Sequence, residues 1–577
     1  MQVFQTDVLV VGAGPAGLTA AAFLARYNIA AITVTRYNGT ANSPRAHITN
    51  QRTVEVLRDL GIEDEMMAEA MPQDLMGTQV FATAFAGEEL CRMMTWGAGI
   101  DRKAEYVAAS PSSMCNMPQH LLEPMIRQAA ERHGADMRFG AELTEIRQDA
   151  NIVIARILER ATGREYEIHA KYAIGCDGAR SIVAEQIGFE IEGAMGLGEA
   201  FTVWLDADLS RYTKHRSGAL FFVCEPGSDV WLSAWTCVKP WTEWNPLFLR
   251  FSLDSSDISE DEVLKRVRSA IGDPSVAVKI KKISTWKINH AVAAGYRIGR
   301  VFLAGDAAHR HPPANGLGSN TCIQDSYDLA WKLAFVLSGR AGEGLLETYN
   351  AERQPVGRQV VDRANKSVAE LGPWATALGL KAGQTKEEAW ANLDELYGPT
   401  ETGARRRHEL IAGLKLMDWQ FNAIGVELGQ RYQSKAVVSD GTPFPAYDRD
   451  PELHYHPTTH PGAYLPHVWL EHEGRKLSTL DLTRSGRFAL ITGIGGDAWI
   501  KASQEASGEL GVEIASYKIG PRQTYNDPLG EWTRRREIED TGCILVRPDG
   551  YVGWRSMKEG AAPTSELRKA LKAILDR

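Results

Sequence analysis

The chain opens on an unbroken apolar run at residues 7–11 (DVLVV), followed at once by Gly12-Ala13-Gly14-Pro15-Ala16-Gly17. A short run without polar alternation reads as a strand buried on both faces of a parallel sheet. The Ala- and Leu-rich residues 15–27 predict a helix, and residues 32–35 predict a second strand, which completes a βαβ unit. Each glycine then has a physical reason. Gly12 permits the tight turn, Gly14 lets a pyrophosphate approach the backbone, and Gly17 lets helix and strand pack closely. Pro15 and Ala16 begin the helix, whose free N–H groups and dipole attract phosphate. A GxGxxG alone is weak; between a strand and a helix it predicts an α/β fold with a dinucleotide in its crevice.

An acidic residue normally ends the second strand of such a unit and binds ribose hydroxyls. Here Thr35 holds that position and Arg36 follows. The arginine fits a 2′-phosphate, and hence NADP in this pocket. Two later motifs favour FAD instead. Gly175-Cys176-Asp177-Gly178 follows a predicted strand at residues 172–174. Residues 301–304 predict another strand, which leads into Gly305-Asp306-Ala307-Ala308-His309 and on to Pro312-Pro313 and Gly316-Leu317-Gly318-Ser319-Asn320. Both aspartates sit at carboxyl ends of strands, where open α/β sheets bind ligands. Asp306 can accept hydrogen bonds from sugar-alcohol hydroxyls. The N–H groups at the start of the helix expected over residues 320–338 can face a ring on which negative charge develops during reduction.

Between these motifs the texture changes. Residues 201–205, 219–223 and 230–235 are rich in β-branched and aromatic side chains and predict strands of an antiparallel sheet. The expected organisation is a discontinuous dinucleotide domain (1–75, 106–190 and 285–375) holding a substrate-binding β-sheet domain (76–105 and 191–284). A helical connector (376–435) and a separate C-terminal unit (455–577) follow. Other helices are expected at 53–60, stopped by Gly61, and at 119–133, stopped by Gly134.

The three motifs, in this order, resemble the single-component FAD-dependent aromatic hydroxylases. The segments 42–53 (NSPRAHITNQRT) and 309–320 (HRHPPANGLGSN) are similar to the phenol 2-monooxygenase and 2,4-dichlorophenol 6-monooxygenase branch. That resemblance implies an α/β Rossmann-like FAD-binding domain, an inserted antiparallel-sheet substrate domain and a thioredoxin-like C-terminal domain. Residues 493–497 stand where a thioredoxin has CxxC, so dithiol chemistry is excluded and a structural or dimerising role is expected. By position, Gly12, Gly14, Pro15, Ala16, Gly17 and Arg36 would hold the ADP half of FAD. Arg45 and Gln119 would lie near the pyrophosphate, and Asp177 between FAD and a transient nicotinamide. Gly305 and Asp306 would hold the ribitol, and Pro313, Gly316, Gly318, Ser319 and Asn320 the flavin ring.

The implied reaction is ortho-hydroxylation of a phenol or chlorophenol with NAD(P)H and O₂, through a flavin hydroperoxide. The resemblance makes His47 the acid/base candidate. A phenol titrates near 10 and histidine near 6.5, so full proton transfer is uphill by about 3.5 units, or ~5 kcal/mol. Histidine therefore needs a positive field or a more acidic phenol. Trp231, Ser233 and Trp235 alternate and would share one strand face. With Phe222 and Cys224 they are expected to wall the substrate, Trp235 contacting the ring. Alternatives are a hydroxylase of a larger aromatic (a polyketide or hydroxyphenyl acid) and a non-oxygenating flavoprotein reductase.

Other classes are disfavoured. With 64 basic and 73 acidic residues there is no cationic footprint for nucleic acid. Seven scattered cysteines form no CxxC pair, which argues against a disulfide framework and for a reducing cytoplasm. The first residues lack a basic start before an apolar core, so no signal peptide or membrane span is expected. His309 and His311 lie on a loop followed by Pro312, and no metal is expected there. A homodimer or homotetramer is expected.

Overall fold

In the computed structural model, residues 2–250 and 259–577 are described, apart from the side chains of Leu249 and Arg250. The predicted βαβ unit is present: strand Gln2–Val11, helix Pro15–Arg26 and strand Ala31–Thr35. The run at 8–11 is buried, and Val8, Leu9 and Val10 are fully enclosed, because the strand lies inside a parallel sheet with helices on its faces. Five strands run parallel in the order Val301–Leu303, Arg164–Gly175, Gln2–Val11, Ala31–Thr35, Asp136–Phe139. An antiparallel flap, Ala141–Gln148 and Val153–Glu159, pairs with the second of these. Helix Gly318–Leu337 packs against Pro15–Arg26 over the sheet.

The second sheet has eight strands. Its two longest, Ile191–Asp206 and Lys279–Ala293, pair along most of their length. They are followed in order by Glu243–Arg250, Leu232–Lys239, Leu220–Cys224, Thr78–Ala82 and Glu89–Met94, while His309–Arg310 joins the other edge. One correction is needed to the antiparallel expectation. Leu220–Cys224 and Thr78–Ala82 run parallel, because the second strand arrives from a distant, earlier part of the chain. Another concerns the connector. Helix Glu347–Leu378 runs through the expected boundary at 375/376, so the change from sheet-packing to connector occurs inside one helix.

The C-terminal unit has a four-stranded sheet in the order Ile514–Lys518, Phe488–Thr492, Cys543–Val546, Val552–Ser556. The first pair is parallel and bridged by helix Asp497–Leu510; the others are antiparallel and lead to helix Pro563–Ile574. This βαβ–ββα order is thioredoxin-like. Its Cys543 is buried in the sheet, and burial pushes the thiol well above its usual range. No described helix is long and apolar enough to cross a membrane.

Candidate active site

The three glycine and aspartate motifs meet because their strands are neighbours. Val11 pairs with Gly175, and Gly175 with Leu303, so all three loops leave the same sheet edge side by side. The contacts there are close. A Cβ on Gly12 (φ +109°) would lie 2.1 Å from the Cys176 carbonyl oxygen, and one on Gly17 would lie 1.9 Å from the Gly12 oxygen. A Cβ on Gly305 would approach both Cys322 and Ala16. Gly14 differs: a Cβ there would meet nothing within 4 Å. The protein has left space at the one glycine expected to face a pyrophosphate, and the helix behind it has no side-chain cap on its N–H groups.

The residues expected at the ribitol and ring of FAD are also free of obstruction to such a ligand. Asp306 is exposed within a loop whose other residues, from Gly305 to Arg310, are buried, so its carboxylate opens into the crevice. Its Oδ1 accepts from the Cys322 thiol at 3.7 Å. Asn315 and Gly316 both take left-handed backbone (φ 65° and 64°), and helix Gly318–Leu337 starts without a side-chain cap. Pro313 is exposed beside this turn, and Ser319 is half-buried in the first helical turn. His311 donates from Nδ1 to the Pro312 carbonyl (2.7 Å), which leaves Nε2 as a buried acceptor without a partner; the ring lies 3.6 Å from the place a Cβ on Gly318 would take. Burial lowers the His311 pKa to about 4, so the ring is neutral.

Several predicted residues are placed differently from expectation. Asn320 has no spare amide for a ring: Nδ2 donates to Ile48 O (2.9 Å) and Gly316 O (2.6 Å), and Oδ1 accepts from Asn50 N–H (3.0 Å). Both of its amide hydrogens are thus spent on the protein's own backbone. Asp177 is committed to its own helix, accepting from the Ser181 hydroxyl and from Val183 N–H (3.1 Å). Gln119 donates to Glu123 (2.6 Å), a buried carboxylate that also holds Ala41 N–H. Burial raises the Glu123 pKa. Glu123 escaped sequence reading because a lone glutamate inside a helix carries no signal. Arg45 is exposed. Arg36 donates to the Tyr37 hydroxyl (3.1 Å) and forms no ion pair among the described residues.

His47 lies at the start of the Ile48–Thr49 strand, tied through Ile48 to Asn320 of helix Gly318–Leu337. Its Nδ1 is 2.9 Å from Asn116 Oδ1. The Asn116 amide is itself anchored, since Nδ2 donates to Cys237 O at 2.7 Å. That anchor turns Oδ1 toward His47, so Nδ1 carries the proton and Nε2 the lone pair. Desolvation by the surrounding protein, partly opposed by Asn116, lowers the His47 pKa to about 4.

The aromatic wall needs correction. Trp235 pairs with Phe221, while Phe222 pairs with Ala234, so Phe222 and Trp235 point to opposite faces of the sheet. Trp235 is fully enclosed, edge-on to Phe85 (5.0 Å), and belongs to a cluster with Trp244 and Phe221. It is core and does not contact a substrate ring. Trp231 precedes its strand and stacks on Trp374 at 6.2 Å. The face toward the FAD-binding domain is the other one. It carries Phe222, Ala234, Thr236 and Asn245, and the Asn245 amide reaches Pro44 O (3.4 Å) beside His47. Phe222 stacks on Phe81 there (5.1 Å). Sequence reading missed Thr236 and Asn245 because tryptophans drew attention to the wrong alternation.

Comparisons agree with this geometry. Residues 5–364 match the family model described as FAD binding domain, and residues 458–577 match aromatic-ring hydroxylase, C-terminal. The chain is 45% identical to 2,4-dichlorophenol 6-monooxygenase of Delftia acidovorans, over 99% of this chain and 98% of that one. It is 44% identical to phenol 2-monooxygenase of Pseudomonas sp. (strain EST1001), over 98% and 92%. The crystal structure of the flavin-dependent monooxygenase PieE with FAD and substrate superposes with a TM-score of 0.96 at 48% identity, covering 99% of both chains. With three loops shaped for one extended dinucleotide, and with this likeness along its whole length, the chain belongs to the FAD-dependent aromatic-ring hydroxylases.

Proposed function

We propose that the protein hydroxylates a phenol ortho to its hydroxyl group, with NAD(P)H as reductant and O₂ as the oxygen source. Bound FAD supplies the electron transfer and the activation of oxygen. This chain's residues hold the ends of the cofactor, place the phenol beneath the Phe222 face and orient its hydroxyl. The observation that carries the reading is His47: a neutral imidazole of fixed tautomer, with Nε2 as acceptor, on the strand tied to the flavin-ring loop.

A pKa of about 4 restricts what His47 does. Against a phenol near 10 the gap is about 6 units, or ~8 kcal/mol, so His47 does not take the proton outright. It accepts a hydrogen bond, fixes the ring's orientation and draws charge onto the phenol oxygen, which activates the adjacent carbon. More acidic, chlorinated phenols narrow the gap. One of the two phenol-type relatives is named for such a substrate, 2,4-dichlorophenol, and the other for phenol itself. A homodimer or homotetramer is the expected assembly, measurable by light scattering.

The test is NAD(P)H oxidation and H₂O₂ release by the holoenzyme, with and without a panel of phenols. Simple phenols and chlorophenols should stimulate oxidation several-fold with little peroxide. Stimulation by bulky polycyclic phenols alone would replace this reading with the larger-aromatic one. Oxidation unaffected by any phenol would remove the hydroxylase reading.

A further inference from the structure

A group of charged side chains unused by this chemistry lies buried between the C-terminal unit and the FAD-binding sheet. Arg547, on the turn joining strands Cys543–Val546 and Val552–Ser556, is fully enclosed. Its Nη1 and Nη2 donate to both Glu352 oxygens (2.6 and 2.8 Å), and it also binds Asp549. Lys332 Nζ, equally enclosed, lies 2.7 Å from Asp328 and 2.6 Å from Glu352. The carboxylates of Asp328, Glu352 and Asp549 could be mistaken for a metal site. The ammonium of Lys332 and the guanidinium of Arg547 already supply the positive charge there.

The cluster leads to the cofactor. Glu352 is followed on the same helix by Arg353, whose Nε donates to Asp325 Oδ1 at 2.8 Å. The other oxygen of Asp325 accepts Gly305 N–H (3.1 Å) and lies 2.8 Å from His309 Nε2. Asp325 therefore grips both ends of the loop that presents Asp306. The far side of Arg353 is held by Gln430 (2.9 Å) and by the Tyr432 hydroxyl (3.1 Å), and Tyr432 stacks on Tyr551, four residues after Arg547, at 3.8 Å. One short turn of the C-terminal unit thus supports Glu352 and, through Tyr432, Arg353.

We propose that Arg547 is a positioning residue for the flavin: the C-terminal unit, which has no dithiol, inserts a guanidinium beneath the FAD-binding domain and so fixes the Gly305–Ala307 turn that holds the ribitol. A buried carboxylate left without its cation is costly, whereas removing both partners costs much less. Arg547→Met leaves Glu352 under-compensated, shifts the Glu352–Arg353 segment and releases Asp325 from the loop. That loop carries Asp306, the expected ribitol ligand, whereas the expected adenosine contacts lie on another turn. The adenosine end would rest on Gly12–Gly17, a separate turn that the Gly305 loop meets at Ala16.

The experiment is titration of FAD-stripped protein with FAD and, separately, with ADP, using wild type, Arg547→Met, Arg547→Lys and the pair Glu352→Gln/Arg547→Met. The proposal expects Arg547→Met to raise the FAD Kd at least tenfold with the ADP Kd unchanged. Arg547→Lys should fall between, and the pair should recover most of the loss. Parallel loss of FAD and ADP would show general destabilisation and overturn the proposal. So would unchanged FAD affinity. Should Arg547→Met not fold, Arg547→Lys decides: an FAD Kd equal to wild type overturns the proposal.

Discussion

Asn116 Oδ1 lies 2.9 Å from His47 Nδ1, and the same amide is pinned at its other end by the Cys237 carbonyl. Asn116 therefore determines which nitrogen of His47 faces outward as an acceptor. Asn116→Ala should lower kcat about tenfold with little change in KM, because one oriented hydrogen bond is worth ~1 kcal/mol or slightly more. Asn116→Asp places a carboxylate beside the ring and should raise the His47 pKa from about 4, so an acid limb should enter the kcat profile at higher pH. Stopped-flow and steady-state pH profiles read both effects. Coincident wild-type and Asn116→Asp profiles would separate His47 from the chemistry.

The two glycines of the first turn should fail in different ways. A Cβ at Gly12 meets the Cys176 carbonyl, and φ is +109°, so Gly12→Ala should destabilise the fold itself by several kcal/mol. Gly14 has open space, so Gly14→Val should leave the melting temperature of the FAD-free protein within about 2 °C while weakening FAD binding more than 100-fold. Calorimetry and fluorescence titration distinguish them.

Thr35 stands where a carboxylate would accept the ribose hydroxyls, and Arg36 beside it donates to the Tyr37 hydroxyl and pairs with no acid among the described residues. Thr35→Glu should therefore tighten FAD binding about tenfold, the value of one charge-assisted hydrogen bond of ~1.5 kcal/mol. Unchanged affinity in a fluorescence titration would mean that the ribose lies elsewhere.

The sheet assignment separates stability from specificity. Trp235→Ala should cost ~3–5 kcal/mol in urea unfolding and leave the ranking of substrates unchanged. Ala234→Phe, on the opposite face, should narrow the range to the smallest phenols with little change in stability.

Acid should act through His467, buried and 2.8 Å from Ser478 Oγ, with a pKa lowered to about 3 mainly by burial. The folded state disfavours its protonation, so this contribution is intact above about pH 6.5 and falls as pH drops toward 3. Between pH 7.5 and 5.0, wild type should lose ~2 kcal/mol relative to His467→Gln. Glu427, raised by burial to about 8, has the opposite pH dependence but is common to both proteins and cancels. Parallel stability curves from urea melts would contradict the assignment.

Much of the candidate crevice, with its motif loops at one sheet edge, was legible in the chain because its signals are local. A buried strand, a glycine turn and a helix start are adjacent in sequence, so spacing alone carried Gly12, Gly14, Gly17 and Asp306. The C-terminal βαβ–ββα order was readable for the same reason. The substrate face was not. In a sheet with both sides covered, alternation groups Trp231, Ser233 and Trp235 but says neither which residues of the neighbouring strand share their face nor which side meets the FAD-binding domain. Cross-strand pairing and the reach of Asn245 to Pro44 decided that.

Local periodicity and turn chemistry by themselves determined that this chain builds an α/β crevice for one extended dinucleotide, with acidic and glycine loops at its strand ends. Only the tertiary structure decided how the polar groups are spent. Asn320 and Asp177 turned out to serve the protein's own backbone, His47 received its tautomer from Asn116, and Arg547 met Glu352 across 195 residues of chain. The reason is that a buried polar atom must find a partner wherever the fold brings one, and such partners lie far apart in sequence.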